Sequence, residues 1–173
     1  MMTLLFDELV LTDYGQFDLI WSGDLGFDGD FDRFFAEQEN GLAGAATGAG
    51  LYVNLARRSG GSRVRIVLHD TEPPLRGDWE DVVEVSVSIP RGAEPTWNTW
   101  ASEESGSLPV PFGAYRVRVG ARGRDAGADG EFAEGPVDWY ELDFWPAPVE
   151  ADAIIRTTSA NAAHWHRKVG SRR

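Results

Sequence analysis

Apolar and polar residues alternate with a period of two in segment after segment of this chain, which confines the fold to strands that bury one face. Phe17, Leu19 and Trp21 share one side of their segment while Asp18 takes the other. Leu51, Val53 and Leu55 alternate with Tyr52 and Asn54, and Val64, Ile66 and Leu68 with Arg63 and Arg65. Val83, Val85, Val87 and Ile89 alternate with Glu84, Ser86 and Ser88. Tyr115, Val117, Val119 and Ala121 alternate with Arg116, Arg118 and Arg122. Tyr140, Leu142 and Phe144 face away from Glu141 and Asp143, whose side Trp139 and Trp145 share. Proline and glycine clusters separate these runs, at Pro73-Pro74, Pro90-Arg91-Gly92, Pro109-Val110-Pro111, Gly127 to Gly130 and Pro146-Ala147-Pro148. Gly60-Gly61 predicts a hairpin over 51–69.

Six or more strands so spaced predict a mainly β fold, an antiparallel β-sandwich with one or two short helices. A length of 173 residues suits a single domain over 1–173, ending in a short basic tail. The outward rows are complementary, with Arg63, Arg65, Arg116 and Arg118 available to Glu84, Glu141 and Asp143. Such cross-strand pairs contribute roughly 0.2–1 kcal/mol each and help set register. One helix is predicted over 30–40, where Phe31, Phe34 and Phe35 share a face and Asp30 suits the N-cap. A second is predicted over 158–168, with Arg167 and Lys168 in its last turn, where cations suit the dipole.

The net charge is −12, and it is uneven. Residues 1–40 carry a net −9, residues 41–149 a net −6, and residues 150–173 a net +3. An acidic chain of this kind is a poor binder of nucleic acid or anionic membrane. Cysteine is absent, which excludes disulfides, thiol catalysis and cysteine-based zinc sites. The N-terminus lacks the basic and long apolar regions of a secretory signal, and no apolar run approaches the roughly 20 residues of a membrane span, so a soluble cytoplasmic protein is expected.

Few segments resemble a chemical motif. Asp28, Asp30, Asp32 and Glu39 fall at positions 1, 3, 5 and 12 of a counted loop, the spacing of a calcium-binding EF-hand. Arg33 stands at position 6, where that loop turns on glycine, and the Phe spacing asks for a helix. The plainer reading is an acidic loop capping an amphipathic helix. His164 and His166 are two apart, so on a helix they do not share a face, and His69-Asp70 ends a strand. No ordering of Ser, His and Asp known from hydrolases is present. Gly48-Ala49-Gly50 lacks the third glycine of a dinucleotide loop, and no Walker lysine follows a glycine. Trp97 and Trp100 can stack on sugars or anchor partners, yet on a strand they point to opposite faces, so at least one belongs to the core. Glu80-Asp81 and Glu103-Glu104 diverge on a strand and do not face one sugar.

Two stretches resemble a group of small actinobacterial β-rich proteins without an assigned activity. They are Asp78-Trp79-Glu80-Asp81-Val82-Val83-Glu84-Val85-Ser86-Val87 and Pro111-Phe112-Gly113-Ala114-Tyr115-Arg116-Val117-Arg118-Val119-Gly120-Ala121-Arg122-Gly123-Arg124-Asp125, with Trp145-Pro146-Ala147 later. Tyr14-Gly15-Gln16-Phe17 is similar to the opening strand of the competence protein J family, acidic inhibitors of a DNA-entry nuclease. That resemblance implies nuclease inhibition.

The expected function is therefore non-enzymatic: an acidic protein that binds a basic protein partner, most concretely an immunity protein or inhibitor of a toxin or nuclease. The expected contact residues are Asp24, Asp28, Asp30, Asp32, Glu37 and Glu39, because a concentrated negative field speeds capture of a cationic surface. No cofactor and no metal are expected. The alternatives are a small-ligand or calcium-binding module, a hydrolase using His69, His164 or His166, and a structural subunit of a larger assembly.

Overall fold

The computed structural model describes residues 1–23 and 26–173. In chain order its strands are β1 (Met2–Asp13), β2 (Gln16–Ile20), β3 (Ala43–Gly44), β4 (Gly50–Asn54), β5 (Ser59–His69), β6 (Asp81–Ile89), β7 (Thr96–Thr99), β8 (Ser105–Ser107), β9 (Gly113–Arg122), β10 (Trp139–Pro146) and β11 (Ala153–Arg156). The helices are α1 (Phe31–Phe34), α2 (Arg124–Asp129) and α3 (Ala160–Lys168). Two packed sheets form a β-sandwich, one of six strands in the order β1-β5-β10-β9-β6-β11 and one of five in the order β3-β4-β2-β7-β8. Neighbouring strands run antiparallel except β5 and β10, which are parallel. Among the described residues no helix is long and apolar enough to cross a membrane.

The period-two faces meet between the sheets. Phe17, Leu19, Leu51 and Val53 from the five-stranded sheet pack into one apolar cluster with Val64, Ile66, Val85, Val117, Leu142 and Phe144 from the other. Phe6 closes that cluster against Phe17 and Trp97, with ring centroids 5.8 and 5.0 Å away. Full burial of each such side chain stabilises the fold by roughly 1.5–3 kcal/mol.

The hairpin predicted over 51–69 does not form. β4 pairs with β2 and β3, whereas β5 pairs with β1 and β10, so the link at 55–58 crosses from one sheet to the other. Arg57 fixes that crossing. Its buried guanidinium donates to the carbonyls of Gly61 (2.8 Å), Gly135 (2.8 Å) and Ala133 (2.5 Å), and the Gly60-Gly61 pair lies in the ladder opposite Thr12 and Leu11. At the matching corner the chain turns from β1 to β2 through Tyr14 and Gly15, both left-handed at φ 56° and 62°. A Cβ on Gly15 would lie 2.3 Å from the Leu55 carbonyl oxygen, so only glycine fits.

β1 brings an outer-face partner that alternation did not mark. Arg63 pairs with Asp7 of β1 at 2.7 Å, while Arg65 pairs with Glu141 at 2.7 Å and Glu84 holds Arg116 (3.3 Å) and Arg118 (2.8 Å). α3 forms where expected, its Ser159 cap accepting from the Ala162 N–H at 2.9 Å. α1 is a single turn rather than a helix over 30–40. Glu37 is left-handed (φ 58°), and the Gln38 amide donates to the Ala43 carbonyl (2.8 Å) and accepts from the Ala45 N–H (2.9 Å), which draws the chain onto the sheet edge. α2 is an addition to the predicted helices; its Gly127 packs directly on Asp138, where a Cβ would lie 2.8 Å from the carboxylate.

Candidate functional site

The outward side chains of β2 and β4 are polar or amphipathic: Gln16, Asp18, Tyr52 and Asn54. All four are buried, because segment 26–40 lies across them. Asp18 accepts from the Phe27 N–H (3.0 Å) and from Gln16 Nε2 (2.6 Å), and Gln16 also donates to the Phe27 carbonyl (2.9 Å). That places the Phe27 ring flat on Tyr52, at 3.9 Å with an interplanar angle of 5°. Phe34 and Phe35 meet Tyr52 edge-on, at 6.2 and 6.0 Å. Burial and then the Asp18 charge push the Tyr52 hydroxyl above its ordinary range, so it stays protonated.

Beside this stack a cleft of about 570 Å³ opens to solvent. Phe27, Phe31 and Trp165 form one aromatic group on it, with Trp165 brought in by α3 at 6.0 Å from Phe31. Tyr14 and Trp100 form a second, 5.2 Å apart, and Arg58 lies over the Tyr14 ring. Gln16, Asn54 and Asp28 supply polar groups. Trp97 of β7 belongs to the core side, and Trp100, in the 3-10 turn that follows the strand, belongs to this cleft.

Among the described residues Asp28 is the one acid of the 28–39 segment on the cleft. Asp28 lines it, accepting from the Asp30 N–H (3.0 Å) and pairing with Arg33 (2.9 Å), contacts that hold its carboxyl below the usual range. Asp30 caps α1 by accepting from the Arg33 N–H at 3.1 Å. Asp32 pairs with Arg172, and Glu39 with Arg173 at 3.1 Å. The basic tail thus folds back on the acidic start, its backbone N–H groups at Ser171 and Arg172 donating to the Glu39 and Gln38 carbonyls, each at 2.9 Å. Glu37 is exposed and makes no ion pair among the described residues, and Asp24 lies outside them. Arg33 sits among the carboxylates of the EF-hand-like spacing. No three His, Asp or Glu side chains among the described residues converge as a metal site would require.

The three histidines are separate. His69 lies 2.6 Å from Asp143 on the outer face of the six-stranded sheet, and His164 is exposed beside Trp165. His166 is buried, and its Nδ1 accepts from the Gly41 N–H at 3.0 Å. Burial, and then the Arg124 charge, lower its pKa, while Asp81 and Asp152 act weakly the other way. A histidine depressed in the folded state takes up a proton more readily when unfolded. Its contribution is therefore complete above the unfolded value near 6.5 and is lost as pH falls through the folded value. We expect the melting temperature to fall between pH 7.5 and 5.5, and His166→Asn, which keeps the acceptor, to flatten that fall. An unchanged slope would mean that other groups carry it.

Sequence reading missed the cleft and the buried charges Asp18, Arg57, Asp81, Arg124, Asp138 and Asp152. Asp81 and Asp138 had a signal. Each stands in the core-facing phase of the strand it opens or precedes, with Val83 or Tyr140 two residues on.

No protein-family model matches the chain, and no curated protein matches it by sequence. Two solved structures share its fold. One is ComJ from Bacillus subtilis, described as an inhibitor of the DNA degrading activity of NucA, with a TM-score of 0.60 and 15% identity over 85% of this chain and 99% of that one. The other is described as Crocagin biosynthetic gene J, with a TM-score of 0.56 and 15% identity over 86% of this chain and 99% of that one. The architecture built here from alternating strands is thus one that an inhibitor of a nuclease also adopts.

Proposed function

We propose that this protein is a non-enzymatic inhibitor or immunity protein that binds a basic protein partner, a nuclease or toxin, through the acidic 28–39 surface and the aromatic cleft beside it. The observation that carries this reading is their juxtaposition: Asp28 belongs to both. The fold shared with ComJ supports it. A nuclease groove built to hold phosphate is cationic, and an acidic surface accelerates encounter with it. The pairs that Asp28, Asp32 and Glu39 make with Arg33, Arg172 and Arg173 are exposed, and such pairs contribute about 0–1 kcal/mol. A partner's arginines exchange with them at little cost, while the cleft accepts an apolar or aromatic anchor of the kind that dominates interface energetics.

The test is co-purification of the tagged protein from its own host at low salt, followed by binding kinetics with the captured partner. Asp28→Asn, Asp32→Asn and Glu37→Gln together are expected to slow association about tenfold at low salt and little at high salt. Phe31→Ala is expected to speed dissociation instead. Absence of a co-purifying protein, or unchanged kinetics in both variants, would count against the proposal. A second reading is favoured by the size of the cleft, which falls within the roughly 300–1,000 Å³ of small-molecule sites. Recovery of a small molecule from the purified protein, with no partner, would select it.

A further inference from the structure

On the opposite side of the sandwich, the outer face of the six-stranded sheet holds a cavity of about 200 Å³ lined by Arg63, Arg65, Arg76 and Arg122, with only Asp7 and Glu141 as carboxylates. In a chain with a net charge of −12 this local excess of cations needs an account. The register explains how it forms. Trp139 of β10 lies opposite Arg122 of β9 on one side and Arg63 of β5 on the other. One row along, Glu141 lies opposite Gly120, whose bare Cα receives the Trp79 ring; a Cβ there would lie 2.8 Å from it. Trp79 and Trp139 therefore flank the Arg122 guanidinium, with ring centroids 5.6 and 5.1 Å away.

The other three arginines are engaged. Arg63 pairs with Asp7 at 2.7 Å, Arg65 with Glu141 at 2.7 Å, and Arg76 with Glu141 at 2.9 Å and Asp78 at 2.6 Å. The Arg122 guanidinium makes no hydrogen bond or ion pair among the described residues, and the carboxylate whose charge acts on it, Asp78, is itself held by Arg76. Stacking between indoles restrains a guanidinium while leaving its edge donors free, since the attraction acts through its face. A planar fork with uncommitted N–H groups, held in a recess and backed by further guanidinium charge, matches the geometry of a carboxylate or phosphate group. The cavity is too small for a nucleotide and large enough for one such group with water.

We propose that this pocket is an oxyanion site, with Arg122 as the principal ligand and Arg63 and Arg65 supplying supporting charge. Because Trp79 and Trp139 line it, occupancy should alter tryptophan fluorescence. At constant ionic strength, inorganic phosphate or acetate is expected to give a saturable change that chloride does not. Saturation by phosphate alone would identify a phosphoryl group as the ligand, and by acetate alone a carboxylate. Arg122→Gln is expected to weaken binding at least tenfold. Arg122→Lys, which keeps the charge and its cation–π attraction to the indoles but loses the planar fork, should weaken it less, and it carries the test if the glutamine variant does not fold. A change that is linear in salt, the same for chloride, or undiminished in both variants would overturn the proposal and leave Arg122 as packing between two indoles.

Discussion

Asp138→Ala is expected to lower the stability of the folded protein by about 3–5 kcal/mol, although the residue lies in neither the cleft nor the acidic segment. Asp138 is fully buried where β5, β10 and the crossing link meet. Its carboxylate accepts from Ser62 Oγ (2.7 Å), Tyr140 Oη (2.7 Å) and the Arg57 N–H (3.3 Å). Tyr140 Oη accepts in turn from the Ala56 N–H at 2.7 Å, and burial raises the pKa of that phenol, so it remains a donor to Asp138. Alanine leaves these donors without an acceptor in a region closed to water, and each costs about 1–3 kcal/mol when stranded. Asp138→Asn keeps the shape but turns an amide N–H₂ toward one of the donors, so a smaller loss is expected. Urea unfolding followed by tryptophan fluorescence measures both. A loss under about 1 kcal/mol for alanine would show that the network relaxes without it and is not what fixes the crossing between sheets.

Much of the sandwich was legible because alternation is a local consequence of burying one face. Every strand read from it, from Phe17-Asp18-Leu19 to Tyr140-Leu142-Phe144, is present with its apolar side inward. β1 was not legible, for a local reason. A bulge between Leu4 and Phe6 shifts its phase, and as an edge strand it leaves Leu4, Leu9 and Leu11 exposed. Strand pairing was not legible either. Gly60-Gly61 suits a tight turn by composition, and only the buried Arg57 guanidinium, with carbonyl partners as distant as Gly135, selects a crossing between sheets instead.

The candidate site divides in the same way. Its acidic residues could be counted from the sequence, and Asp30 could be placed as a cap, because both depend on neighbours along the chain. The cleft could not, since Tyr14, Phe27, Trp100 and Trp165 come from four separate segments. Nor could the partial neutralisation of the acidic segment by Arg172 and Arg173, which depends on how α3 delivers the tail. The field at this surface is therefore weaker than the residue count implies. Its shape is more sharply defined, because backbone hydrogen bonds to Gln38 and Glu39 hold the tail in place.

That shape rests on Asp152, and Asp152→Ala is expected to cost about 2–4 kcal/mol and to loosen the acidic segment. The side chain is buried between β10 and β11 in sequence, yet it accepts from the Glu39 N–H (3.0 Å), the Asn40 N–H (2.8 Å) and Asn40 Nδ2 (2.8 Å), and pairs with Arg173 at 3.0 Å. One carboxylate therefore joins the end of the acidic segment to the basic tail. Removing it strands two backbone donors and leaves Arg173 with Glu39 alone. Faster hydrogen exchange is expected at the Glu39 and Asn40 amides, and at the Ser171 and Arg172 amides that bond to the same segment. The functional consequence separates charge from shape. Neutralising Asp28, Asp32 and Glu37 should act on association, through the long-range field. Asp152→Asn removes one carboxylate where the triple substitution removes three, so it should slow association less and instead speed dissociation, because a misplaced surface is captured nearly as readily but held less well. If Asp152→Asn slows association as much as the exposed substitutions do, or if the four amides exchange as in the parent protein, the acidic surface is not held in shape by this clamp.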